Sequence, residues 1–167
     1  MRTPLLTPGL VLMAFLTGCA NLQPAIPEGY TGPKATVRDS GMPVAGNLAH
    51  VFTVSQVDGR SIRNSRGATL SANYGRGFSI TPTVIARDVP AGSLKLTLSG
   101  QTMYAAPILA MMNPTCTVEG VVEVFIEKDT PYIVKGLLDQ NACSVWLEED
   151  RESGKIVGTK ITGPGVK

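Results

Sequence analysis

A single histidine, His50, limits the nucleophilic and acid–base chemistry open to this 167-residue chain. A nucleophile needs a base that is itself held by a third group. A Ser-His-Asp or Cys-His site is therefore possible only around His50. That residue opens an apolar segment between Ala49 and Val51, and no G-x-S-x-G motif occurs. It reads most simply as an edge or half-buried strand histidine. The densest carboxylate cluster is Glu148, Glu149, Asp150 and Glu152. Paired carboxylates can run glycoside hydrolysis, but charge at a hairpin end is ordinarily a solvated turn that blunts aggregation. Glu119, Glu123 and Glu127 fall at every fourth position of an alternating segment and read as its solvent side. Met103, Met111 and Met112 would suit soft Cu(I), although such a set more often fills a core or a docking surface. With one histidine and no calcium-loop pattern, no metal or cofactor is expected.

The stretch Arg60 to Phe78, RSIRNSRGATLSANYGRGF, is different in kind. Arg60, Arg63, Arg66 and Arg76 stand among asparagines and glycines with no acidic residue between them. Guanidinium groups suit bidentate contact with phosphate or carboxylate, and glycine-rich backbone approaches anions closely. The lysine–serine ending of a P-loop is missing. The four arginines are candidate anion-binding residues; the plainer reading is a solvated basic hairpin with a mobile loop.

Nearly every element available to position these residues reads as a strand. Ser93 to Ser99 alternates strictly, Leu94, Leu96 and Leu98 against polar residues, and this is the period of a half-buried strand. The turn Val89-Pro90-Ala91-Gly92 introduces it. Val51 to Val57 runs into Asp58-Gly59, a type I′ hairpin signal. Val118 to Glu127, Tyr132 to Leu138, Cys143 to Glu148 and Lys155 to Ile161 follow, separated by Asp129-Thr130-Pro131 and by Glu152-Ser153-Gly154-Lys155. Thr102 to Asn113 fits either a strand or a short helix with Pro107 in its first turn. The pattern predicts an all-β fold, an antiparallel β-sandwich of about seven to eight strands.

The front of the chain carries one charge, Arg2, then the apolar run Leu10 to Leu16, then Leu16-Thr17-Gly18-Cys19. The run has the size of a secretory h-region and is too short to span a bilayer as a helix. The tetrapeptide resembles the lipobox of bacterial lipoproteins. That resemblance implies a signal peptide over residues 1–18, cleavage before Cys19, thioether lipidation of Cys19 and acylation of the new amino terminus. Each buried methylene contributes roughly 0.8 kcal/mol, so two or three acyl chains make a stable anchor. Ala20 and Asn21 after the cysteine imply the outer membrane in a Gram-negative host, with the domain in the periplasm. With Cys19 assigned to lipid, Cys116 and Cys143 are left as an even pair, and two thiols in an oxidising compartment usually bond. Such a bridge would be worth roughly 3 kcal/mol by chain entropy.

Residues 19–34, rich in proline and glycine, read as a tether; residues 35–161 form the β-sandwich domain, and residues 162–167 a fraying tail. Within the domain, Val89-Pro90-Ala91-Gly92 leading into Leu94-x-Leu96-x-Leu98, then Tyr132-x-Val134, and Trp146-Leu147-Glu148-Glu149-Asp150 closing on Ser153-Gly154-Lys155, resemble small uncharacterised Gram-negative lipoproteins. More loosely, they are similar to prealbumin-like or immunoglobulin-like β-sandwich modules. These motifs encode turns and buried strand faces, so they imply a fold and carry no activity.

Cleavage before Cys19 removes Arg2 and leaves 14 basic and 13 acidic residues, a balance that argues against a nucleic-acid partner. The basic residues dominate 31–100 and the acidic ones 101–167. Together these readings lead us to expect a non-enzymatic envelope lipoprotein, held to the membrane by its lipid anchor. It would be an accessory or binding module for an envelope protein or an anionic glycan or lipid. The alternative from a different class is a small cell-wall or lipid hydrolase centred on His50.

Overall fold

The computed structural model describes residues 22–139 and 141–165. The signal-peptide segment, Cys19 and the last two residues of the tail lie outside the described residues. The chain forms β1 (Lys34–Arg38), β2 (Ser40–Ala45), β3 (Leu48–Val57), β4 (Arg60–Ser61), α1 (Ser65–Ala72), β5 (Ala86–Pro90) and β6 (Gly92–Tyr104). There follow α2 (Pro107–Met112), β7 (Thr117–Ile126), β8 (Pro131–Leu138), β9 (Ala142–Glu149) and β10 (Ile156–Pro164). One sheet has the order β10-β9-β8-β1-β5; the other has β2-β3-β6-β7, with β4 added to β3. All pairings between these strands are antiparallel except β1 with β8.

This is the all-β sandwich that the alternation predicts, with ten strands where seven to eight were expected. The additional ones carry weak signals. Strand β4 has two residues, and β2 has no buried residue and contains Pro43. The edges are interrupted: β2 is bulged between Pro43 and Ala45, and β10 is bulged between Val157 and Ile161 and ends on Pro164.

The core lies between the sheets. Leu94, Leu96 and Leu98 of β6, Val122, Val124 and Ile126 of β7, Tyr132 and Val134 of β8, and Val145 and Leu147 of β9 are all buried in it. Their even spacing follows from the two-residue period of a strand. At one end the layers approach closely. The Phe52 ring lies against Gly100 and Gly136, and a Cβ on Gly136 would collide with that ring and with the Ser144 carbonyl. Beside this contact Cys116, just before β7, is bridged to Cys143 of β9 with a Cα–Cα distance of 6.4 Å. The disulfide therefore ties the two sheets together. A smaller apolar cluster of Ala49, Val51, Ile80 and Met103 sits on the outer face of the second sheet.

The turns behave as their residues require. Asp58 and Gly59 both take positive φ, 49° and 75°, as a type I′ turn demands. Gly92, at φ 116°, follows a sheet-changing corner between β5 and β6.

Two boundaries differ from the sequence expectation. The tether was expected to run freely to residue 34, yet from Gln23 onward the chain is docked. The Gln23 N–H donates to the Ser61 carbonyl at 2.8 Å, Ala25 packs against the core, and Arg60 donates to the carbonyls of Pro24 and Ala25. Prolines leave carbonyl acceptors in place, and a guanidinium supplies the missing donors. The tail was expected to fray from residue 162, but Thr162, Gly163 and Pro164 pair with Ser144, Cys143 and Ala142. Proline is tolerated there because it ends an edge strand.

Candidate functional site

The arginine-rich stretch is built around α1, where the hairpin-and-loop reading is corrected. The helix carries no hydrophobic stripe because its inward stripe is polar. Ser65, Thr69 and Asn73 recur at i, i+4 and i+8, with Ser65 and Thr69 buried. Each accepts from, or exchanges bonds with, the extended segment 81–85. The Ile85 N–H donates to Ser65 Oγ at 2.7 Å and the Thr83 N–H to Thr69 Oγ1 at 2.9 Å. Asn73 takes the Thr81 N–H at 2.9 Å and gives its Nδ2 to the Thr81 carbonyl at 2.8 Å. The match is geometric: four helical residues rise about 6 Å, close to two extended residues at about 6.6 Å.

The start of α1 is anchored from within. Asp39, at the corner between β1 and β2, is fully buried. Its carboxylate accepts from the Ser65 N–H at 2.8 Å, from the Val54 N–H at 3.0 Å and from both terminal nitrogens of Arg87, at 2.8 and 2.5 Å. Asn64 caps the helix by accepting from the Gly67 N–H. An internal carboxylate thus already answers the positive end of the helix, and an external anion has no claim on the donors of Ser65 and Gly67.

The four candidate arginines do not converge. Arg60 is spent on the Pro24 and Ala25 carbonyls. Arg63 and Arg66 are exposed beside the start of α1 and line one shallow depression of about 330 Å³ together with Leu22. Arg76 is exposed in the loop after the helix. Among the described residues no carboxylate pairs with Arg63, Arg66 or Arg76; the ion pairs present involve Arg38, Arg87, Lys95, Lys135 and Lys155.

The remaining candidates are dispersed as well. His50 shares the inner face of β3 with Phe52 and lies half-buried between Met42 and Thr102 on the neighbouring strands. Burial pushes its imidazole below the ordinary histidine value. Among the described residues its ring hydrogen-bonds neither a serine nor a carboxylate, the contact that a hydrolytic centre would need. Glu148 is buried against Lys135 and accepts from the Trp146 indole at 2.8 Å, while Lys160 lies 4.6 Å from that ring. Glu149 faces Lys155 and Asp150 binds Arg38. The acidic cluster is thus divided among separate cations. Met103 is buried in the small outer cluster while Met111 and Met112 are exposed on α2, so the methionines form no common site. Asp139 accepts from the Ala142 and Asn141 N–H groups, which hold its carboxyl below the usual carboxylate range.

Sequence reasoning left Thr102 to Asn113 as a strand or a short helix and its methionines as core or docking surface. The chain forms the short helix α2, with Pro107 in its first turn and Met111 and Met112 outside the core. Ile108, Met111 and Met112 are exposed there, the last two at 82 and 76%, and no residue of the helix is buried. The connection between β6 and β7 that carries it is nevertheless braced. Tyr104 donates to the Pro114 carbonyl at 2.8 Å, Asn113 donates to the Leu109 carbonyl at 2.8 Å, and the disulfide closes its base at Cys116.

These features define a disulfide-bridged, two-sheet β-sandwich. Comparison of the chain with protein-family models, with curated proteins and with solved structures finds no match.

Proposed function

We propose that the protein is a non-enzymatic accessory lipoprotein of the cell envelope. It is lipid-anchored through Cys19, with its domain in the periplasm, and it binds another envelope protein. The observation that carries this reading is the braced apolar display on α2. Ordering Ile108, Met111 and Met112 in water brings no burial to offset its entropy, whereas a waiting partner explains it. Methionine side chains adapt to irregular partner surfaces, and a preorganised loop binds at lower entropic cost. The lipobox-like Leu16-Thr17-Gly18-Cys19 supports the anchor, and the Cys116–Cys143 bridge supports an oxidising compartment.

A photo-crosslinking residue at Met111, in cells making the native lipidated protein, tests the reading, with Lys95 at the far end of β6 as control. One discrete protein adduct at Met111, absent at Lys95 and abolished by Met112→Lys, is expected. Adducts at both positions, or lipid adducts alone, would rule out α2 as a protein-docking element.

A further inference from the structure

We infer that the outward face of α1 and the loop after it form a membrane-apposed surface, lying on the anionic phospholipid headgroups of the leaflet that holds the acyl chains. The inference rests on the proposed lipidation of Cys19. Only Ala20 and Asn21 stand between Cys19 and Leu22, so even with the chain fully extended the Cys19 Cα is tethered within about 11 Å of the Leu22 Cα, and the lipidated sulfur lies one side-chain length beyond. Leu22 lies exposed against α1, in the depression lined by Arg63, Arg66, Gly67 and Ser71. The docking of Gln23 to Ser61 and of Arg60 to Pro24 and Ala25 removes the slack that would let the domain stand away. The anchor therefore delivers this one face to the bilayer.

The chemistry of that face suits an interface of headgroup and acyl chain. Arg66 and Leu70 are exposed neighbours at i and i+4, each one position and so about 100° around the helix from Ser65 and Thr69 of the polar stripe that holds segment 81–85. Tyr74 follows Ser71 by one turn, its N–H donating to the Ser71 carbonyl. Leu70 is 50% exposed, Tyr74 93% and Phe78 67%, with Arg76 between the two aromatics. Gly75 and Gly77 both take positive φ, which keeps this tip turned without any buried side chain. Exposed aromatics seat at headgroup depth. Unpaired guanidinium groups bind phosphate bidentately and gain about fivefold in affinity each at an anionic surface.

The test uses the mature lipidated protein reconstituted in vesicles of zwitterionic and anionic phospholipid with brominated acyl chains. Trp146, on the outer face of the opposite sheet, is the internal reference. Mass analysis of the amino-terminal peptide first establishes whether Cys19 is acylated. The expected result is strong quenching of Phe78→Trp (in a Trp146→Phe background), little quenching of Trp146 in the wild type, and loss of more than half the Phe78→Trp quenching when Arg63, Arg66 and Arg76 become Gln. An acylated protein whose Phe78→Trp signal is unquenched, or whose Trp146 is quenched instead, overturns the surface while leaving the anchor standing. If no acyl chain is found, sedimentation of the same chain with anionic vesicles decides. Binding weakened about a hundredfold by the triple Gln variant upholds the surface without the anchor; absence of binding overturns it. A photo-crosslinker at Phe78 that captures a protein rather than lipid in native envelopes also counts against it.

Discussion

Asp39 and Arg87 meet as a buried ion pair at the corner where the chain passes from one sheet to the other, both guanidinium termini on one carboxylate. The same carboxylate receives the backbone of β3 through Val54 and the start of α1 through Ser65. Arg87 Nε is buried without an acceptor, so the arginine is the less satisfied partner.

Removing either partner leaves a buried charge or buried donors unanswered. Asp39→Ala and Arg87→Met are each expected to cost about 3–5 kcal/mol in urea unfolding. The double variant should not return to wild-type stability, because the Val54 and Ser65 N–H groups still lack their acceptor. A fully restored double variant would show that the carboxylate serves only Arg87.

Thr69→Val removes the acceptor for the Thr83 N–H, and Asn73→Ala removes both bonds to Thr81. Each is expected to cost about 1–2 kcal/mol. Amide exchange supplies the sharper reading: protection at Thr81, Thr83 and Ile85 should fall at least tenfold while β6 and β7 keep theirs. Uniform loss across the sandwich would refute a local clasp.

Gly136→Ala forces a Cβ into the Phe52 ring and the Ser144 carbonyl. Overpacking of this kind costs about 1–3 kcal/mol. Trimming the ring with Phe52→Leu should recover part of that loss in the double variant. An unchanged melting temperature for Gly136→Ala alone would contradict the close approach of the sheets.

His50 links stability to pH. Burial lowers its folded pKa, so the unfolded chain binds the proton more readily. The contribution is fully present above the unfolded value of about 6.5 and is lost as pH falls through the lower folded value. The melting temperature of the wild type should therefore drop more steeply from pH 7 to 5 than that of His50→Gln. An equal or shallower slope would be inconsistent with the burial.

Much of the sandwich is written in the strands themselves. Leu94, Leu96 and Leu98, or Val122, Val124 and Ile126, announce one buried face by alternation, and Asp58-Gly59 announces its turn through residues that tolerate positive φ. Helix α1 escapes such reading because its inward stripe of Ser65, Thr69 and Asn73 is held by hydrogen bonds rather than oil. The i, i+4, i+8 spacing was present, but a search for apolar period passes over it. The role of Arg60 was equally hidden. Its partners are carbonyls of a proline-rich segment, and backbone acceptors leave no trace in residue type. The dispersal of the other three arginines and of the acidic residues depends on tertiary placement that no local pattern encodes.

The interrupted edges of β2 and β10 bear on life among identical neighbours. A lipid-held protein, as proposed here, diffuses in two dimensions and meets its copies in a restricted range of orientations. Under those conditions a continuous row of free N–H and C=O groups would invite ribbon growth across the leaflet. Pro43 and the bulge beside it break that row on one sheet, and the bulge and Pro164 of β10 break it on the other. Ribbon growth along these two edges is therefore disfavoured, however crowded the leaflet.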